Sequence, residues 1–523
     1  MSRFVRASKY RHVFGQAAKK DHGFENVKVT GSAWDTNVIS ASASYISVNW
    51  NASGGGAFAI LPLPSPFLPH PSLPYKLPDS LPLARSHTAP VLDTDWSPHD
   101  DALVASAGED GKLMIWKIAP DAFDGWGAEG WVPRDFEPVW RVDASARKVG
   151  QVLFHPAAEN VLASASGEHL VRLWDLARTE DPQLVLAGHT DTIQSIAFSP
   201  TGTLLATTCR DRKLRLFDPR AGGDAVRAVD AHGGIKGARV TWMGDLGKVA
   251  TTGFSKMSER QVGIWDVGQG LANEKTTALD QSAGVVMPFW SDNNILFLAG
   301  KGDGNIRYYE YESASLYALA EYKSADPQRG MCFLPRRALN IGECEIARAY
   351  KVHGSSIEPI AFIVPRKADS FQSDIYPPAP SKEPSLSAGE YFSGRGDILR
   401  KLISLDTGKT VAPTKTASAP VPAPAPIAVS FSQPAPSTPS APPMSASRSY
   451  SHPDPSPPKE TTPPPPLTRK ESTPKSASPV QDPENAQLKA ELREAREKIR
   501  NLELQLEATK ANAKRAAEAL LNV

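Results

Sequence analysis

Cysteine is nearly absent: Cys209, Cys332 and Cys344 are all that 523 residues carry. Three scattered thiols build neither a disulfide framework nor a zinc site, and they fit a reducing compartment. An excess of one charge is lacking too. Fifty-eight Lys and Arg stand against 57 Asp and Glu, a net charge of +1, so bulk charge argues for neither a nucleic-acid partner nor a membrane surface. The most apolar early stretch, residues 57–68, is broken by Pro62, Pro64 and Pro66 and falls short of the ~20 residues a spanning helix needs. At the N-terminus, MSRFVRASKYRHVFG has charges but no apolar core after them, so no secretory signal is expected. Phosphate loop, nucleophile elbow and metal-ligand cluster are also missing. The run Ser53-Gly54-Gly55-Gly56 has no Gly-Lys-Ser/Thr and no helix after it, and reads as a turn between strands. Neither an enzyme nor a cofactor nor a bound metal is expected, and a soluble cytoplasmic protein is.

What is present is a repeat. Residues 187–218, AGHTDTIQSIAFSPTGTLLATTCRDRKLRLFD, contain three β-rich runs (193–198, 203–207 and 214–217) separated by turn residues. A Gly-His pair opens the unit, and Phe217-Asp218 closes it in the place of the Trp-Asp that names the WD repeat. A unit this small cannot bury both faces alone and implies an array. Related units cover residues 87–118, 148–176, 230–267 and 281–311; together with the 187–218 unit they close on Trp116, Trp174, Phe217, Trp265 and Tyr309 at spacings of about 43 to 58 residues, near a four-stranded blade period. A unit before His87, with strands at 45–50 and 57–61, and one over 330–365 bring the count to about seven. The expected fold is all-β, a seven-bladed WD-repeat β-propeller. An early strand at 10–14 is expected to complete the last blade and so remove a free sheet edge. Residues 64–85, rich in proline, are expected to form a surface loop.

Recurrence also decides how the polar residues are read. His87, Ser106, Asp110 and Trp116 sit where a WD blade builds an internal hydrogen-bonded network, and His189, Thr207 and Asp211 repeat the pattern, with Phe217 for Trp. A histidine beside a carboxylate suits acid–base chemistry, but a constellation that returns blade after blade is structural. The unit at 148–176 lacks the opening Gly-His and has Glu168 near the Asp position, so its network is expected to be incomplete.

The rest of the chain changes character twice. Residues 374–405 combine Pro-bound segments with apolar anchors (Ile375, Tyr376, Tyr391, Phe392, Ile398, Leu402, Ile403) and are expected to pack on the propeller. From about 406 to 485 the composition collapses to Pro, Ala, Ser and Thr, which cannot bury a core and reads as a disordered linker. In residues 486–521, Leu488, Leu492, Ala495, Ile499, Leu502, Leu506, Thr509, Ala513, Ala516 and Leu520 alternate spacings of four and three. That is a heptad seam about 50 Å long if fully helical. With Leu492, Ile499 and Leu506 at a, the g–e pairs Glu491–Arg496 and Lys498–Glu503 have opposite charge and favour a parallel homo-oligomer. The expected organisation is propeller 1–367, packed extension 368–405, linker 406–485 and coiled coil 486–523.

At the other end, Arg3, Arg6, Lys9, Arg11, Lys19, Lys20 and Lys28 stand against only Asp21 and Glu25 within residues 1–30. Such a cluster suits an acidic partner or remains a solvated edge.

The stretches SKYRHVFGQAAKKD (8–21), NASGGGAF (51–58), HTAPVLDTDW (87–96), TTGFSKMSERQVGIWD (251–266), ECEIARAYK (343–351), VPRK (364–367) and DIYPP (374–378) resemble those of the coronins, the actin-filament-binding WD-repeat family. The stretch 251–266 is much longer than generic WD spacing demands. The resemblance implies a regulator that binds the side of F-actin through basic propeller residues, Lys28 above all, with Lys19, Lys20, Arg3, Arg6 and Lys9 as further candidates. It implies oligomerisation through Leu488, Leu492, Ile499, Leu502, Leu506, Leu520, Lys498 and Glu503, as a parallel trimer or a dimer. The trimer mark of the family is met at 498–503 except for Lys498 in its first position. It also implies a tail that meets the branch-nucleating actin-related protein complex, and a place in the cortical actin cytoskeleton. A WD-repeat adaptor in membrane traffic is the alternative.

Overall fold

Among the described residues, alternating short strands and tight turns fold into seven antiparallel blades and one small three-stranded sheet. The computed structural model describes residues 6–33, 36–63, 75–126, 128, 130–178, 181–367, 370–394 and 398–411. They all belong to the first of two compact units, Met1–Ala428; the coiled-coil seam and nearly all of the linker lie outside the described residues. Blade 1 comprises Ile39–Ala41, Tyr45–Trp50, Gly56–Pro62 and Leu83–His87. Blade 2 comprises Val91–Trp96, Leu103–Gly108, Lys112–Lys117 and Trp140–Asp143. Blade 3 is Val149–Phe154, Val161–Ser166, Val171–Asp175 and Leu184–Leu186, and blade 4 is Ile193–Phe198, Leu205–Cys209, Lys213–Phe217 and Arg227–Asp230. Blade 5 is Arg239–Trp242, Lys248–Phe254, Arg260–Asp266 and Ala272–Asp280; blade 6 is Val286–Ser291, Ile295–Gly300, Ile306–Glu312 and Ser315–Tyr322. Blade 7 takes Gln328–Phe333, Glu345–His353 and Ser356–Ile363 from late in the chain and its outermost strand, Phe14–Ala17, from the start.

The closing strand thus starts later than the run 10–14. Tyr10 and Val13 form a turn closed by Val13 N–H to the Tyr10 carbonyl at 3.0 Å, because both side chains are buried between blades 6 and 7. In blade 4 the run 203–207 shifts to Leu205–Cys209. Ser199 Oγ accepts Leu204 N–H at 3.1 Å and Gly202 takes φ +72°, so the turn consumes Thr203. The proline-rich segment is not all loop: Leu83–His87 is the outer strand of blade 1, and Leu77, Leu81 and Leu83 are buried. Residues 64–74 lie outside the described part.

The first strand of each blade lies innermost, and the first strands of neighbouring blades meet around the ring. Strand direction alternates outward, so the turns joining second and third strands all open on one face, here the upper face. Turns joining first and second strands open on the lower face. Each blade interface is a sheet-on-sheet core, as where Ala105, Ile115, Val152, Phe154, Leu162 and Trp174 pack between blades 2 and 3.

The segment after blade 7 spans the lower face. Ile375 is fully buried, and Asn293 Nδ2 donates to its carbonyl at 2.5 Å and to Tyr10 Oη at 2.9 Å. Arg336 donates to the Pro377 and Pro378 carbonyls, Lys382 and Arg337 converge on Asp101, and Arg400 reaches Asp245 and Asp292. A one-turn helix, Ala388–Phe392, starts in a capping box of Ser387 and Glu390 and buries Tyr391. Residues 406–411, which composition puts in the linker, instead turn at Gly408 (φ +66°) and add Thr410–Val411 to Leu402–Ile403.

Candidate functional site

The histidine network is architectural in its geometry. Trp116 Nε1–H donates to Ser106 Oγ at 2.9 Å, and Ser106 Oγ lies 2.8 Å from His87 Nε2. His87 Nδ1 lies 3.0 Å from Asp110, and since a carboxylate only accepts, the imidazole carries its proton there and takes the serine proton at Nε2. Ser106, Trp116 and His87 are all buried, which leaves no room for a substrate.

Blade 4 keeps one link only. His189 Nε2 lies 2.8 Å from Thr207 Oγ1, but Asp211 turns away to a two-point ion pair with Arg215 at 2.6 and 3.0 Å. The reason lies four residues on, where an arginine replaces the apolar Met114 of blade 2 and captures the carboxylate. Blade 5 holds a relay not picked out in the sequence: Trp265 Nε1–H to Thr251 Oγ1 at 2.7 Å, and that oxygen 2.9 Å from His232 Nε2. Blade 3 has the Trp174–Ser164 bond at 2.9 Å, while Glu168 pairs with Arg172 at 2.5 Å. In blade 6 an arginine occupies the histidine slot. Gly108 leaves the space that His87 and Asp110 share, and Gly300 leaves the same space for Arg260 and Asp303. Arg260 bonds Asp280 twice at 2.6 Å and Asp303 at 2.7 Å.

The basic N-terminal residues separate into two places. Arg6 pairs with Glu310 and Glu312 and stacks 4.3 Å over Tyr317, and Lys9 donates to the Asp374 carbonyl. Both are engaged with blade 6 and the extension. Arg3 lies outside the described residues.

Lys19, Lys20 and Lys28 lie elsewhere, on the chain between the closing strand and blade 1. Phe24–Glu25 pairs with the Ser356–Ile363 strand, and Val27 N–H reaches the Ser355 carbonyl at 2.8 Å. The Lys28 carbonyl accepts Asn51 N–H at 2.6 Å. Lys28 is therefore fixed between the upper-face turns of blades 7 and 1, with its side chain 42% exposed. Its Nζ is 3.3 Å from Asp79, whose carboxyl is held below the usual range by bonds from Asn26 and then Lys28. Lys20 is 75% exposed and pairs with Glu25 at 2.8 Å; Lys19 is exposed. Exposed pairs of this kind contribute little to folding and exchange partners readily. An upper-face, cation-bearing edge with mobile counter-ions is suited to an acidic macromolecular surface.

Among the described residues, no group of three or more His, Cys, Asp or Glu is placed to hold a metal ion, and no helix is long and apolar enough to cross a membrane.

Seven antiparallel blades around a ring, two of them holding complete Trp–Ser/Thr–His relays, define a WD-repeat β-propeller. Models of the WD domain G-beta repeat match residues 80–117 and 180–218, another type of WD40 repeat matches 357–396, and a domain of unknown function, DUF1899, matches 3–67. The crystal structure of the WD40 domain of Toxoplasma gondii coronin superposes with a TM-score of 0.68 at 29% identity, covering 78% of this chain and all of that one. Coronin-A of Dictyostelium discoideum is 44% identical over 75% of this chain and 84% of its own length. Human coronin-2A is 39% identical over 74% and 72%. The coronin-like protein crn1 of Schizosaccharomyces pombe is 48% identical over 77% of this chain. The chain belongs to the coronin family. The match spans 65% of the fission-yeast relative and 62% of the 47% identical coronin-like protein of Saccharomyces cerevisiae.

Proposed function

We propose that this chain organises the actin cytoskeleton by binding the sides of filaments, with the upper-face edge around Lys28 as a contact. Family membership is the observation that carries the reading, and the exposed, backbone-anchored position of Lys28 supports it. Lysine offers a point charge rather than the fork of an arginine, so the contact is electrostatic and salt-sensitive. Self-association through residues 486–523 would link propellers and raise avidity without a new contact. A filament carrying such linked copies is bundled, and the tail is the part proposed to meet the branch-nucleating complex.

The test is filament cosedimentation of the full chain against Lys28→Glu and a chain ending at residue 485, over a salt series. The expected result is about tenfold weaker binding for Lys28→Glu at low salt, a gap that narrows as salt rises, and loss of bundling for the shortened chain. If the wild type does not pellet with filaments, the reading fails and a traffic adaptor becomes the better account. Equal pelleting by wild type and Lys28→Glu moves the contact away from this edge.

A further inference from the structure

The long stretch 251–266 contains the most exposed large apolar side chain of the described residues. Met257 is 84% exposed. It sits on the upper face, at the tip of the hairpin joining Lys248–Phe254 to Arg260–Asp266. That tip is built to hold its shape. Ser255 Oγ accepts the N–H groups of Met257 and Glu259, both at 3.1 Å, Ser258 N–H returns to the Ser255 carbonyl at 3.0 Å, and Ser258 adopts φ +62°.

Beside it runs the loop entering blade 5, where Gly234 N–H bonds the Phe254 carbonyl at 2.7 Å. Ile235 on that loop is 59% exposed, and its carbonyl is held by Gln194 Nε2. Lys236 lies 5.0 Å over the Phe254 ring with its side chain toward solvent; Lys256 is exposed and packs against Gly233. The loop begins against the next upper-face turn, where Ala231 N–H bonds the carbonyl of exposed Arg212 at 2.8 Å. Two apolar tips on hydrogen-bonded segments thus have Lys236 and Lys256 as chain neighbours, with exposed Arg212 at the start of the loop and part-buried Glu259 on the same hairpin. A solitary exposed apolar residue is ordinary; two on segments joined by the Gly234–Phe254 backbone bond, each next to an exposed lysine, offer a docking anchor.

We infer that Ile235 and Met257, with Lys236 and Lys256, form a second filament contact on the upper face, seating the two apolar tips in an acidic-rimmed hollow of the filament. The inference rests on the filament-binding reading. The occupant follows from charge, since the rim is cationic like the Lys28 edge, and from continuity, since the upper-face turns of blades 5, 7 and 1 open in the same direction. One rigid propeller then touches the filament at two points, one electrostatic and one largely apolar. Their salt dependences differ accordingly.

The experiment compares full-length wild type, Ile235→Ser/Met257→Ser, Lys236→Glu/Lys256→Glu and Lys28→Glu in filament cosedimentation at low and high salt. The three variants change exposed residues only, and urea midpoints matching the wild type's establish that they fold alike. The serine pair should weaken binding about tenfold at both salts, whereas Lys28→Glu should lose its defect at high salt. The lysine pair should behave like Lys28→Glu. Wild-type pelleting with an unaltered serine pair overturns the inference and leaves the filament reading standing; no wild-type pelleting overturns that reading first. A parallel assay on vesicles containing phosphatidylserine separates the other fitting surface. Vesicle binding lost in the serine pair, with filament binding intact, would reassign the tips to a membrane.

Discussion

His155 is built to stay neutral, and acid should expose it. It is fully buried, at the end of blade 3's first strand, between Phe198 and Tyr391 at ring distances of 4.9 and 4.4 Å. Nδ1 accepts two backbone N–H groups, from Ala157 at 3.1 Å and Ala158 at 2.7 Å, which fixes the proton on Nε2, 3.2 Å from the Gly202 carbonyl. Protonating Nδ1 would break both bonds inside the fold. Burial is the largest cause of a pKa pushed down to about 3, opposed by the Gly202 bond and reinforced by His99 and Arg220. The unfolded chain titrates near 6.5. It therefore binds more protons than the fold between those values, and stability falls as pH drops through that window. Between pH 7.5 and 5 the loss from this one residue is about 2 kcal/mol.

The wild-type slope mixes signs, because burial raises Asp93 to about 8 and Asp95 to about 7 while lowering His189 to about 4. A variant isolates the His155 part. His155→Asn keeps an acceptor near Nδ1 but does not titrate. It should be less stable at pH 7.5 by about 2–4 kcal/mol through lost ring packing. Its further loss from pH 7.5 to 5 should be about 2 kcal/mol smaller than the wild type's. Urea unfolding followed by tryptophan fluorescence at both pH values measures the difference. Equal losses in the two proteins would refute the neutral-only assignment.

Two other substitutions test the frame. Ser106→Ala removes the oxygen shared by Trp116 and His87 and leaves two buried nitrogens unpartnered, a cost of about 2–4 kcal/mol that urea midpoints will read. Tyr391→Ala empties a fully buried ring site against blades 3 and 4, costing about 3–5 kcal/mol; limited proteolysis should then cut within 385–394 sooner than in wild type.

The sequence made blades legible because each repeats a local pattern. Tyr45–Trp50 and Ile193–Phe198 are bounded in the structure as their alternation predicts. The His87–Ser106–Asp110–Trp116 relay was equally readable, since parts of it recur at similar offsets in other blades. What escaped depends on residues distant in the chain. His155 carries no motif; Gly202 reaches it only when blades 3 and 4 pack together, and Tyr391 only when the extension crosses the lower face. Asp211 matches the relay pattern, yet Arg215 outcompetes the imidazole for it, and Arg260 serves in a histidine's slot from the preceding blade's hairpin. The N-terminal lysines and arginines read as one cluster, but the closing strand at Phe14–Ala17 sends Arg6 and Lys9 to blade 6 and Lys19, Lys20 and Lys28 to the junction of blades 7 and 1.

The two faces of the ring are chemically unequal, and the extension explains why. Lower-face turns present Asp101, Asp245 and Asp292, and the extension meets them with Lys382 and Arg400. Those carboxylates would repel an acidic partner if uncovered, and covered they are unavailable to a basic one. The upper-face edges described above carry Lys28, Lys236 and Lys256 at the solvent boundary, where removing a single counter-ion such as Asp79 frees a cation. On the filament reading proposed above, the upper face is the one taken to meet the filament. It follows that loosening the extension with Tyr391→Ala should cost stability while leaving filament affinity within about twofold, whereas Lys28→Glu should do the reverse. Were both variants to lose stability and binding together, the separation of faces would be wrong, and the extension would have to be counted as part of the binding surface.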